Sequence, residues 1–179
     1  MQKSRTVKLL VCGCETESHA FAGIASSLKD TEVRVLCLHQ DEAERCNAAM
    51  NELKVTFHWK GEEPTSITSQ PVLVTNNPED AIRDVDIVVF TLPASSHQAF
   101  LDALKAYIEP GTIIVGLPGA PGFEFQVLHV LGDVGQRCTI MNFESSPWVC
   151  RYTEFGVDCE VLSNLSGAIK VIVSHFKFL

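Results

Sequence analysis

An apolar run, Val7, Leu9, Leu10 and Val11, stops at Gly13, and Ala20, Ile24, Ala25 and Leu28 then recur at helical spacing. That order predicts a buried strand, a tight turn, and a helix opening at the turn and continuing from Phe21 to Lys29. In nucleotide-binding βαβ units such a turn carries G-x-G-x-x-G. Its glycines permit the turn, the close approach of a phosphate and tight helix packing. Here Gly13 fills the first position, Glu15 the second and Ser18 the third, with a further acid at Glu17.

The same alternation of strand and helix runs down the chain. Glu32–Leu38 reads as a second strand. Asp41 and Glu44 form a capping-box pattern that opens a helix to about Leu53. Val55–Trp59 alternates as a short strand, Lys60–Thr65 has turn composition, and Pro71–Thr75 extends again. These form a small hairpin-like insertion or a pair of strands that widens a sheet edge. Asn77 followed by Pro78 predicts a capped helix reaching Arg83. Asp86–Thr91 is nearly all apolar, as strands buried on both faces of a parallel sheet are. A helix carrying Phe100, Leu101, Leu104 and Ile108 follows the break at Leu92-Pro93-Ala94. Then come a strand over Thr112–Leu117, a Pro/Gly loop from Pro118 to Gly122, and a helix from Phe123 to Leu131. Strands at Cys138–Phe143 and, last, Val157–Leu162 complete the pattern.

This succession predicts an α/β fold: a Rossmann-type, doubly wound, mainly parallel sheet flanked by helices. Ligands in such sheets bind outside the carboxyl ends of the strands. Those ends are Gly13–Ser18, Leu38–Gln40, Leu92–His97, Leu117–Gly122 and Phe143–Trp148.

Charge and length narrow the partners. The chain has 179 residues, enough for one domain with a continuous core, and 46% of them are hydrophobic. The net charge is −8 with no long basic run, which argues against nucleic acid or an anionic membrane as partner. Lys3, Arg5 and Lys8 precede an apolar run too short for a signal peptide, and no stretch approaches membrane-spanning length.

The seven cysteines are odd in number and form no C-x-x-C pair. Buried reduced thiols in a cytoplasmic protein are therefore expected. No four-ligand, finger-like spacing is visible, so no metal site is expected. No G-x-S-x-G occurs to mark a hydrolase nucleophile. Cys150, beside Trp148 and Arg151, is read as a core or interface thiol in preference to a reactive one.

Collinear matches go further. Glu32-Val33-Arg34-Val35-Leu36 with Asp41-Glu42-Ala43-Glu44-Arg45, Leu92-Pro93-Ala94 with His97, and Val115-Gly116-Leu117-Pro118 are three of them. Gly122-Phe123-Glu124-Phe125-Gln126, Phe143-Glu144, Pro147-Trp148, Cys150-Arg151 and Glu154-Phe155-Gly156 continue the series. Over residues 6 to 162 the chain resembles the N-terminal domain of the opine dehydrogenases of the octopine type. These enzymes reductively join pyruvate to the amino group of an amino acid, with NADH as hydride donor. The resemblance implies an NAD-binding domain over residues 1–163. Its cofactor-binding residues would be Gly13, Cys14, Glu15, Thr16, Ser18 and His19 at the first turn, with Leu92, Pro93, Ala94 and His97 at the later strand end.

The family's catalytic histidine and its acidic partner lie in a second, helical domain that would begin near this chain's end. No catalytic residue is therefore expected in this chain, which reads as a truncated product. Residues 164–179, including the apolar run Gly167–Val173, are expected to form a helix or strand, either the start of that domain or a remnant of it. A homodimer through the uncovered domain face is the partner expected besides a dinucleotide.

Magnitudes set the departure from the family turn in proportion. A helix N-terminus favours an anion by about 0.3–2 kcal/mol. One carboxylate ~5 Å from a phosphate charge costs roughly 3 kcal/mol at an effective dielectric near 20. Glu15 and Glu17 at the turn therefore predict weak or absent NAD(H) binding, unless they turn to solvent and are screened. The alternative function is a non-catalytic Rossmann scaffold serving as a binding or interaction protein. Asp41 is read as a helix cap before a ribose ligand. With no arginine near Leu38-His39-Gln40, NAD is favoured over NADP. His97 is expected either near a nicotinamide or on the surface, and His19 either beside an anion or in a structural hydrogen bond.

Overall fold

The computed structural model describes residues 5–49, 52–164 and 171–175. Its main sheet has seven strands: β1 (Val7–Cys12), β2 (Thr31–Leu36), β5 (Leu73–Thr75), β6 (Ile87–Phe90), β7 (Ile113–Gly116), β8 (Thr139–Phe143) and β11 (Val171–His175). They lie in the order β11-β8-β7-β6-β1-β2-β5. All neighbours pair parallel except β11, which runs antiparallel along β8. The order reverses between β1 and β6, so the crevice of a doubly wound sheet opens above those two strands.

Strand alternation divides the core. Leu10, Cys12, Val88, Phe90 and Ile114 point to one face. There they meet α4 (Ala94–Leu104) and α5 (Phe123–Leu131) through Phe100, Leu101, Leu104, Phe123 and Val127. Leu9, Val11, Val33 and Val35 point to the other face, toward α1 (Thr16–Ser26) and α2 (Gln40–Ala49). Each large side chain buried this way contributes about 1.5–3 kcal/mol.

A second sheet covers the outer side of α1. It contains β3 (Leu53–Phe57), β4 (Thr65–Ser69), β9 (Trp148–Glu154) and β10 (Asp158–Asn164), in the order β4-β3-β10-β9. Ala20 and Ile24 of α1 pack there with Val55, Cys159 and Val161. Because α1 is pressed between two sheets, most of its buried residues are small: Ser18, Ala20, Ala22, Gly23 and Ala25. A Cβ on Gly23 would lie 2.6 Å from Val55 Cγ2, and Ser69 Oγ donates to the Gly23 carbonyl at 2.7 Å.

The expected α/β, mainly parallel fold is found, with several boundaries moved. α1 ends at Ser26, and Leu28, read as part of its apolar face, is 57% exposed. α2 already includes Asp41, so Asp41 is not its cap, and Leu53 opens β3 instead of closing the helix. β4 was not expected, since TSITS offers one large apolar side chain, Ile67. It is β4 that forms the hairpin with β3, while the 71–75 segment contributes β5 to the main sheet. Ile108 is buried but lies beyond the end of α4. β9 was also missed, although half-buried Trp148, Cys150 and Tyr152 alternate with exposed Val149, Arg151 and Thr153. β10 is not the last strand: residues 171–175 of the apolar tail pair with β8, and residues 165–170 lie outside the described part. The short helix α3 (Pro78–Ile82) is as expected, with Asn77 Oδ1 accepting from the Glu79 N–H at 3.1 Å.

Candidate functional site

The carboxyl end of β1 turns at Gly13, whose φ of +108° favours glycine. A side chain there would also collide with its neighbours. An added Cβ would lie 2.1 Å from Leu92 Cδ2 and 2.9 Å from Ser18 Oγ. Ser18 replaces the third glycine of the fingerprint by tucking inward. Its hydroxyl meets Thr91 Oγ1 at 2.7 Å, both groups are buried, and Thr91 is also 3.4 Å from the Cys12 carbonyl. The turn is fixed from the second sheet as well, because the Tyr152 hydroxyl donates to the Cys14 carbonyl.

Helix α1 then starts without a side-chain cap. Glu15 occupies the cap position in an extended conformation, and the first intrahelical bond is His19 N–H to the Glu15 carbonyl at 2.9 Å. The N–H groups of Thr16, Glu17 and Ser18 precede that bond, so the helix leaves them for another acceptor. α4 and α5, which follow β6 and β7, also begin without a side-chain cap, at Pro93 and Gly122. Three uncapped helix starts therefore face the carboxyl edge of the sheet. This arrangement suits an anionic ligand.

Glu15 is exposed and Glu17 is half-buried. Glu15 lies near enough to Tyr152, and Glu17 to Cys159, for its charge to be felt there.

Beyond β6, Leu92 is buried over Gly13 while Pro93 and Ala94 are exposed. His97 is neither on the surface nor open to a ligand. Its ring is 1% exposed, with Nε2–H donating to the Leu92 carbonyl at 3.0 Å. It packs edge-on against Phe90 and Phe123, with centroids 5.7 and 5.1 Å away. Burial lowers its pKa, so the ring is held neutral. His19 likewise takes the structural role. Wholly buried, it sits 3.3 Å from the Lys54 carbonyl and edge-on to Tyr152, with its pKa lowered by burial. The structure thus brings Gly13, Ser18 and Leu92 together and sets Cys14, Glu15 and Thr16 along the turn. It turns His19 and His97 into the packing.

The loop after β7 closes the far side. A Cβ on Gly116 would meet Gly119 Cα at 2.3 Å, and one on Gly119 would meet Asn142 Oδ1 at 2.3 Å. The Leu117–Pro118 peptide bond is cis. Asn142, from β8, donates to the Ala120 carbonyl at 2.9 Å and to Glu124 Oε2 at 3.0 Å. At the end of β2, Leu38 is half-buried, His39 is exposed, and no acid or arginine stands between Cys37 and Gln40. A cavity of about 770 Å³ lined by Arg5, Asp86, Tyr107 and Thr112 lies at the amino ends of β6 and β7. That is the wrong edge for a ligand of this sheet type.

Thr91, Asn142 and Tyr152 were not legible as site residues, because each acts across strands far apart in sequence. The cysteines also correct the sequence. Cys14 and Cys37, expected as reduced thiols, are joined as a disulfide with Cα atoms 5.8 Å apart. Cys46 from α2 joins them, so that three buried sulfurs lie within 4.8 Å of one another, a cluster that spacing did not reveal. Cys150 is half-buried and lies beside Cys159, within the packing of the second sheet. Among the described residues no helix is long and apolar enough to cross a membrane.

No protein-family model matches the chain. It is 45% identical over 159 residues to tauropine dehydrogenase of Arabella iricolor, covering 88% of this chain and 40% of that protein. It is 42% identical over 163 residues to octopine dehydrogenase of Pecten maximus, covering 90% of this chain and 41% of that protein. The structure of an octopine dehydrogenase with NADH and L-arginine superposes with a TM-score of 0.92 at 40% identity, over 96% of this chain and 43% of that one. The chain thus spans about two fifths of the length of the relatives it matches.

Proposed function

The chain belongs to the opine dehydrogenase family, and on that premise we propose that it is the NAD(H)-binding portion of an oxidoreductase that reductively joins pyruvate to an amino acid. One observation carries the proposal. Gly13, left-handed and pressed against Leu92, opens an uncapped helix at the point where the strand order reverses. The residues fit a dinucleotide. The backbone of Gly13, Cys14 and Glu15 and the N–H groups of Thr16 and Ser18 would hold the pyrophosphate. Leu92, Pro93 and Ala94 would line the nicotinamide half. His97 acts behind them by fixing the Leu92 carbonyl.

When bound, the nicotinamide supplies the hydride. The residues of this chain bind and orient it, and none of the described residues is assigned a proton-transfer role. Glu15, exposed, and Glu17, half-buried, lower the affinity without abolishing it, because water screens part of the repulsion. The absence of arginine at Leu38 and His39 favours NAD(H) over its 2′-phosphate.

A cytosolic setting goes with this function, since that compartment supplies the cofactor. A second copy is the proposed occupant of the apolar edge strand β11, where Ile172 is 56% and Val173 58% exposed. Sedimentation of the chain as a monomer at all concentrations would remove that part. NADH fluorescence titration tests the cofactor assignment. Saturable enhancement is expected for the wild type, with NADPH at least tenfold weaker. Gly13→Val should eliminate the signal while the far-ultraviolet circular dichroism stays α/β. An unsaturable wild-type signal would refute it.

A further inference from the structure

The disulfide between Cys14 and Cys37 joins two strand ends at the edge where the dinucleotide would lie: the turn after β1 and the residue directly after β2. Both residues are buried, at 5% and 0% exposed. Other bonds already hold this part of the fold. The Gly13 N–H donates to the Leu36 carbonyl at 2.9 Å, Tyr152 holds the Cys14 carbonyl, and Ser18 meets Thr91. β2 is paired on both sides, with β1 and with β5. The covalent tie therefore acts chiefly on the conformation of the turn. In the cytosolic setting proposed above a disulfide is the exception, and those that form there are usually transient and redox-sensing.

We propose, resting on the dinucleotide assignment above, that Cys14–Cys37 is a thiol–disulfide exchange site whose state sets the affinity of the turn: tight when bonded, slack when reduced. Bonded, Cys14 is pinned beneath the turn, and the backbone of Gly13 and Glu15 on either side is preorganised for the pyrophosphate. Reduced, two thiols replace one bond inside the packing, where Cys46 already stands within 4.8 Å of both sulfurs. Cys37 is held by its own N–H on the Thr75 carbonyl at 3.0 Å, and Cys46 by α2, so the turn is the part that yields. A low-molecular-weight dithiol is the class of reductant. One of its sulfurs attacks Cys14 Sγ as a thiolate and expels the Cys37 thiolate. Its second sulfur then displaces Cys14 and closes a cyclic disulfide. Two electrons pass to the protein, and the two thiol protons of the reductant end on Cys14 and Cys37. Because both sulfurs are buried, attack requires the turn to open, and bound NADH opposes that opening.

The test equilibrates the full chain in mixtures of reduced and oxidised dithiothreitol, without and with saturating NADH. Thiols are counted after acid quenching, desalting and denaturation. Five are expected in the oxidised chain and all seven cysteines in the reduced one. Reduction should weaken NADH about tenfold in fluorescence titration while the circular dichroism stays α/β. Linkage then requires NADH to favour the disulfide by the same factor. That factor moves the thiol–disulfide midpoint about 30 mV toward more reducing potentials, a shift that a merely structural bond would not show. Cys37→Ala, kept in dithiothreitol, should bind NADH as the reduced wild type does. Equal or tighter NADH binding by the reduced chain would overturn the exchange site and leave the dinucleotide assignment standing. NADH binding in neither state would overturn both. Seven thiols before reduction, or a spectrum lost on reduction, would also overturn the exchange site.

Discussion

The turn after β1 and the loop after β7 stand at the same edge of one sheet but are built in opposite ways. The β7 loop closes on itself. Gly116 and Gly119 are there because backbone and Asn142 occupy the space a Cβ would need, and Asn142 satisfies the Ala120 carbonyl. The β1 turn is held from behind by Thr91, Tyr152 and Leu92, and its helix starts without a side-chain cap. One loop serves the fold; the other is shaped for something outside it. A helix on the same sheet sharpens the contrast, since α3 has its own Asn77 cap and needs no ligand.

Substitutions separate the two. The largest stability loss is expected from Gly119→Val, which drives a branched side chain into Asn142. Overpacking of this kind costs about 3 kcal/mol, read as a lower midpoint in urea. At the turn, Gly13→Ala should cost about 1–2 kcal/mol, through its positive φ and the clash with Leu92, and should weaken NADH at least tenfold. Gly119→Val should weaken NADH only as far as it unfolds the chain. Asn77→Ala should cost about 1 kcal/mol and leave NADH binding unchanged.

The smallest effect concerns pH. His19 and His97 are buried with pKa values below the ordinary 6.5, so the unfolded chain binds more protons as pH falls through that value. Stability should be level above pH 6.5 and decline below it. His97→Gln should make the decline shallower in urea melts at successive pH values.

How much of this was legible follows from the kind of signal each part sends. β1, β6 and β7 were readable because strands buried on both faces must be continuously apolar, as Ile87–Phe90 is. The capped start of α3 was readable because Asn77-Pro78 acts locally. β4 and β9 were not, because an edge strand with one exposed face mixes polar and apolar residues as a loop does. α1 misled differently. Most of its buried residues are small because sheets press on both sides, so no single apolar stripe ends where the helix ends. In the site, Gly13 and Ser18 announced themselves through the spacing of the fingerprint. The partners that hold the turn, Thr91 on Ser18 and Tyr152 on Cys14, lie 73 and 138 residues from their contacts and only the fold joins them. The same is true of the cysteine trio, where no local spacing hints at convergence.

The central claim is that the open turn still holds a dinucleotide despite its two acids. Calorimetric titration of NADH into the wild type and into a Glu15→Gly, Glu17→Gly double variant tests it directly. Saturable binding by the wild type is expected, with the double variant tighter by up to about a hundredfold, the most that one roughly 3 kcal/mol repulsion would yield if only partly screened. Heat of binding absent from both folded proteins would contradict the account.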